Sequence, residues 1–352
     1  MSAGVDDACV EQSTETRRVS LPEPRGPITT GLFTALLEAP GAPPSGDLGL
    51  LAEDPLADDD LQLALYVCYE LHYAELEGVD ERWEWAPSLM GFRAALEARF
   101  QAGLDALLSP CSPEECLDVG GSLQRLVADD SGPSLSRYVE TQASQEQLLE
   151  LVIHRSAYQL KEADPHSWAI PRLTGAPKVA LMEVQSDEYG GGNVERMHSV
   201  LFANTMDALG LDARYGHYIS RLPGITLATV NLISYFGLHR RLRGALVGHL
   251  AAFEMTSSVP NRRYGNGLRR LGHGPPATDF YDEHVEADAV HESIAAWDLA
   301  HGLARLEPAL APDILMGARV LLALESRWAR HLMDAWSEGA GSLRSPALAS
   351  VI

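Results

Sequence analysis

Residues 280–292 read FYDEHVEADAVHE, with two histidines and five carboxylates in thirteen positions of otherwise good helix-forming sequence. His284, Asp288 and His291 recur at i, i+4 and i+7, which at about 100° per residue confines them to a sector of about 60° on one side of a helix. Glu283, Glu286 and Glu292 fall on other sides and can face water. Two imidazoles flanking a carboxylate on one stripe are a donor set for a first-row metal. A solvated surface helix with incidental histidines is the plainer alternative, so the reading depends on what the neighbouring segments carry.

Those segments read as helix after helix. DDDLQLALYVCYELHYAEL (58–76) opens on acids and continues with an apolar stripe, and SLMGFRAALEARFQAGLDALL (88–108) comes next. SQEQLLELVIHRSAYQLKEAD (144–164) runs up to Pro165, and later candidates are GNVERMHSVLFANTMDALG (192–210), one long element over 226–258, and DILMGARVLLALESRWARHLMDAW (313–336). Strand-like alternation is confined to KVALMEVQ at 178–185. The expected fold class is all-α, a single helical domain over 58–345 with about seven core helices. The first 57 residues, rich in Pro, Gly and acids (LPEPRGP, EAPGAPPSGD), predict a loosely ordered extension with one short helix at 29–38.

Composition narrows the partners. The chain has 352 residues, 46% hydrophobic, enough for a sizeable core. Its 27 basic against 49 acidic side chains give a net charge of -22, which disfavours nucleic acid and anionic membrane surfaces. The N-terminus, with Asp6, Asp7 and Glu11, does not read as a signal peptide, and no run suits a membrane span. Cys9, Cys68, Cys111 and Cys116 have no zinc-site spacing and are expected as reduced thiols of a cytoplasmic protein.

Further acid and imidazole groups accompany the 280–292 helix. Glu254 sits in the apolar run HLAAFEMTSS, where a carboxylate is costly unless it is paired or bound to metal. In MEVQSDEYGGGNVERMHSVLF, either Glu188, ten residues before His198, or Glu195, three before it, can be the partner of that histidine. Glu162 closes the helix before Pro165, a place where a carboxylate is more often a surface acid than a ligand. Carboxylates and histidines spread over several helices describe a dimetal carboxylate site, with iron or manganese favoured by the donor set and no thiolate ligands for an iron–sulfur cluster. YGGGN lacks the lysine of a phosphate-binding loop and comes after no convincing strand.

On DEYGGGNVERMHSVLF, HLAAFEMTSS and the His-x3-Asp-x2-His of EHVEADAVHE, the region from about 140 to 340 resembles the heme-oxygenase-like non-heme diiron oxidases and oxygenases, the iron-containing redox enzymes, and in particular their N-oxygenating branch. That resemblance implies a heme-oxygenase-like bundle holding two Fe(II) ions, with Glu162, Glu188, His198, Glu254, His284, Asp288 and His291 as ligands. Glu162, Glu188 and Glu254 would also shape the catalytic environment. It further implies dioxygen as cosubstrate and N-oxygenation of a small amine or amino acid in natural-product biosynthesis, with room for an external electron donor and a homodimer. The alternative within the same fold is an oxidase that desaturates or cleaves C–C bonds of an amino or fatty acid. A true heme oxygenase would want one proximal histidine and a basic rim for propionates, which this acidic chain does not offer.

Overall fold

The computed structural model describes residues 17–46 and 52–345, the side chains of 286–290 excepted. Its longer helices are α1 (Pro27–Leu36), α2 (Asp59–Glu70), α3 (Pro87–Asp105), α4 (Val119–Ala128), α5 (Gln145–Gln159), α6 (Gly175–Glu188), α7 (His198–Ala208), α8 (Gly224–Leu238), α9 (Arg243–Met255), α10 (Ser258–Arg270), α11 (Pro275–Ser293) and α12 (Ala311–Ser337). With shorter pieces, about 15 helices make up the described chain, so the seven or so expected core helices sit within a larger set. The strands are a two-residue parallel pair, Arg18–Val19 beside Glu75–Leu76. The protein is all-α.

Two expectations need correction. KVALMEVQ is part of α6: Ala180, Leu181, Val184, Gln185 and Glu188 are buried at helical spacing, while Val179 and Met182 are exposed. The long element over 226–258 is two helices, because His239 takes an extended conformation (φ -101°, ψ 107°) after α8. A Cβ on Gly237 would come within 2.9 Å of the Pro165 carbonyl oxygen, so only glycine lets α8 run so close to the 164–172 segment.

The segment expected as a loose extension packs on the bundle over its described part. Ile28, Leu32 and Leu36 of α1 are buried against α2, whose Asp60 accepts from the backbone N–H groups of Ile28 (2.8 Å) and Thr29 (2.9 Å). A carboxylate there satisfies donors that the first turn of α1 leaves open and complements its dipole.

At the centre, α8 is buried on nearly every side, and α9 lies along the 27-residue α12. Their approach is set by two glycines. A Cβ on Gly248 would fall 1.8 Å from the Ile314 carbonyl oxygen, and one on Gly317 would fall 2.0 Å from that of Ala245. In an open helix, Gly→Ala would stabilise by roughly 0.5–1 kcal/mol. Here the obstacle is backbone, and overpacking costs about 1–3 kcal/mol, so the clash wins. Gly248→Ala and Gly317→Ala are therefore each expected to lower the urea midpoint; a midpoint that rises instead would mean that α9 and α12 are not in backbone contact.

Candidate metal centre

Five segments converge on one buried point. The α5 helix ends at Gln159, and Glu162 sits in the turn just after it, rather than inside the helix. Glu188 is the last residue of α6 and His198 the first of α7. Glu254 comes from the end of α9, and His284 and His291 from one stripe of α11. All six are at most 8% exposed.

The ten-residue separation of Glu188 and His198 is resolved by the glycines. Gly190, Gly191 and Gly192 take φ values of 69°, 60° and 87°, left-handed backbone that other residues rarely adopt, and the chain reverses between α6 and α7. The reversal sets Glu188 Oε2 2.8 Å from His198 Nδ1. Glu195 is exposed on the loop, so the alternative partner of His198 points to water.

Ligand atoms of Glu162, Glu188, His198 and His284 lie within 4.8 Å of one another, and so do those of Glu188, Glu254 and His291. Glu188 belongs to both groups, so the two candidate sites adjoin and have one carboxylate in common. His284 Nε2 is 3.5 Å from Glu162 Oε1, and His291 Nδ1 is 3.5 Å from Glu254 Oε2. Asp288 lies among residues 286–290, outside the described side chains. Glu283 pairs with Arg196 at 2.6 Å, and Glu292 is exposed.

The orientation of two imidazoles is set from outside the site. His284 Nδ1 meets the Phe280 carbonyl at 2.7 Å and donates to it, which leaves Nε2 facing Glu162. His291 Nε2 donates to Asp187 at 2.9 Å, which leaves Nδ1 facing Glu254. Asp187 was not among the residues singled out in the sequence. Its only signal is its place beside Glu188, and its carboxylate is 56% exposed.

Burial raises the pKa of Glu162, against the opposing pull of His284, and raises that of Glu254 against His291. Burial alone would lower the pKa of His291, but Glu254 and Asp187 outweigh it and push it up to about 9. A metal ion bound among these groups would supply positive charge to the buried carboxylates. The Oε2 atom of Glu162 has no hydrogen-bond partner among the described residues. Mixed carboxylate and imidazole donors without thiolate fit iron or manganese. A water-sized space lined by Tyr158, Glu162, Glu188, Glu254 and His284 lies between the two groups, and a cavity of about 510 Å³ reaches Glu162 and His284 from the side of α10 and α12.

The sequence pattern of iron-containing redox enzymes matches residues 149–326, which carry all seven candidate ligands. Over 169 residues the chain is 27% identical to the nitrosourea synthase of Streptomyces achromogenes subsp. streptozoticus, covering 47% of this chain and 36% of that protein, so it spans about a third of that relative's length. A crystal structure of a CADD-like protein of unknown function from Nostoc punctiforme superposes with a TM-score of 0.50 at 17% identity, covering 63% of this chain and 98% of that one; the likeness concerns the fold.

The shared carboxylate gives a graded expectation. Glu188→Ala should abolish binding of both metal equivalents, whereas His291→Ala should spare the one held by Glu162, Glu188, His198 and His284. Metal analysis after anaerobic Fe(II) loading and desalting decides this, and equal stoichiometry in the parent and both variants would remove these residues from the site.

Proposed function

The chain belongs to the iron-containing redox enzyme family, and on that premise we propose that it is a dioxygen-dependent non-heme diiron oxygenase that N-oxygenates a small amine or amino acid in natural-product biosynthesis. Glu162, Glu188, His198 and His284 would hold one Fe(II), and Glu188, Glu254 and His291 the other, joined by Asp288 on the strength of the family resemblance. The observation that carries the reading is Glu188 belonging to both ligand groups. Bound there, the iron pair would supply dioxygen reduction and oxygen transfer.

The chain's own residues do the rest. Asp187 and the Phe280 carbonyl each accept from the outward nitrogen of a histidine, so that the inward nitrogen is the one aimed at the centre, where its lone pair would bind a metal. Tyr158, Leu250 and Phe253 supply the apolar part of the wall of the inner space. The larger cavity admits substrate to the Glu162 and His284 side. On its wall Arg155 and Glu325 pair at 2.6 Å, and the guanidinium carbon lies 3.9 Å from the ring centre of Trp328. Charged groups on a cavity wall favour a polar substrate.

The relative named nitrosourea synthase supports oxidation at nitrogen, within the part of its length that this chain matches. A second reading, desaturation or C–C cleavage of an amino or fatty acid, draws on the apolar side chains Phe253, Met255, Leu321 and Leu322 of the same cavity. Either reading includes a cytoplasmic enzyme with an external electron donor, and the net charge of -22 supports a small-molecule partner over nucleic acid. Among the described residues no helix is long and apolar enough to cross a membrane.

The test is dioxygen consumption by the Fe(II)-loaded protein with a panel of amines and amino acids set against fatty acids of similar length. Faster consumption with an amine, and a hydroxylamine, nitroso or nitro product by mass spectrometry, is the expected outcome; acceleration by fatty acids alone would transfer the assignment to the second reading. Glu162→Ala should fold, retain part of its iron and lose amine oxidation, together with any long-lived absorbance that appears after mixing of the parent with dioxygen.

A further inference from the structure

Glu162 is the one candidate ligand in a turn rather than at a helix end or within a helix, so its position depends on what holds residues 160–164. Its neighbour Lys161 points the other way and is 1% exposed. The Lys161 ammonium forms an ion pair with Glu70 of α2, itself 1% exposed, and lies 4.5 Å from the ring centre of Tyr73, 5.2 Å from that of Tyr66 and 6.0 Å from that of Tyr215. Tyr215 donates its hydroxyl to the second oxygen of Glu70 at 2.6 Å. A buried lysine is costly unless both its charge and its donors are answered, and here an anion and three aromatic faces answer them.

The same turn is tied on its far side. The Ala163 carbonyl accepts from Gln185 Nε2 at 3.1 Å, and Asp164 accepts from the Tyr189 hydroxyl at 2.8 Å and pairs with Arg17. Gln185 and Tyr189 flank Glu188, so one set of contacts fixes the turn of Glu162 to the helix end that supplies the shared ligand. The lysine cage fixes it to α2, which lies outside the matched region of 149–326.

We propose that Lys161, seated in its cage of Glu70, Tyr66, Tyr73 and Tyr215, is a positioning residue that aims Glu162 at the His198 and His284 side of the centre. This rests on Glu162 being a metal ligand. The cage acts through backbone: an ammonium held at one point and a carbonyl held at the next leave the turn little freedom, and Glu162, between them, presents its carboxylate in one direction. A ligand allowed to wander loses metal affinity by about ten- to a hundred-fold, as for other outer contacts of metal sites.

The test uses the full-length protein and Co(II), whose visible absorption reports ligand number without turnover. In Lys161→Met combined with Glu70→Gln no unpaired buried charge remains, so folding, monitored by circular dichroism, is expected to survive. The parent should take up two Co(II). The double variant should bind one as the parent does and the other about ten- to a hundred-fold more weakly, with an altered visible spectrum. Two Co(II) bound with parent affinity and parent spectrum would overturn the proposal and leave Lys161 a structural residue. If the double variant does not fold, Tyr73→Leu, which removes the nearest ring and keeps the ion pair, is read in the same way: weaker uptake of one Co(II) supports the cage, and parent behaviour overturns it. A parent that binds no Co(II) would instead refute Glu162 as a ligand.

Discussion

Three carboxylates buried among three imidazoles are the constraint around which the rest of this protein is arranged. Each ion taken from water into a helical core costs several kcal/mol, and mutual pairing recovers that only where geometry is good. Glu162, Glu188 and Glu254 face His198, His284 and His291 at separations of 2.8 to 3.9 Å, and burial raises the pKa of Glu162 and Glu254 against the pull of their imidazole neighbours. Such a cluster is stable when cations occupy it, which is how a family of iron-containing redox enzymes would use it.

The helices meet the constraint by ending at the site. Glu188 and His198 close one helix and open the next, Glu254 lies at the last turn of α9, and Glu162 comes just past the last turn of α5. Only α11 passes through, and it continues into a π-helical stretch, Ile294–His301, packed on α6 and α9. A wider turn at that point shifts the helical register of the residues beyond it, a feature frequent near functional sites. Helix ends can be aimed separately by the turns that join them, whereas residues inside one helix are locked to its period.

The matched region accounts for the ligands but not for all that holds them. Residues before 149 supply Tyr66, Glu70 and Tyr73 around Lys161, Arg17 on Asp164, and the 132–136 edge of the large cavity. Residues before 149 thus brace the turn that carries Glu162 and line one edge of the cavity that reaches it. The curated relative shares only part of its own length with this chain, so the chemistry at the site and the substrate it meets need not be inherited together.

What the sequence by itself determined is the set of elements and the donors they carry. The i, i+4, i+7 stripe of α11 is legible because helical period alone puts His284 and His291 on one face, and Glu254 stands out because a carboxylate in an apolar run needs a partner. The helical spacing of Ala180, Leu181, Val184, Gln185 and Glu188 was also present in the sequence, though a short apolar run hides it behind apparent alternation. The choice of Glu188 over Glu195 belonged to the tertiary structure, because it depends on the direction in which three left-handed glycines turn the chain. So did Asp187 behind His291 and the cage around Lys161, since each depends on a contact between segments far apart in sequence. Periodicity encodes which face of a helix is buried, but only packing decides what that face meets.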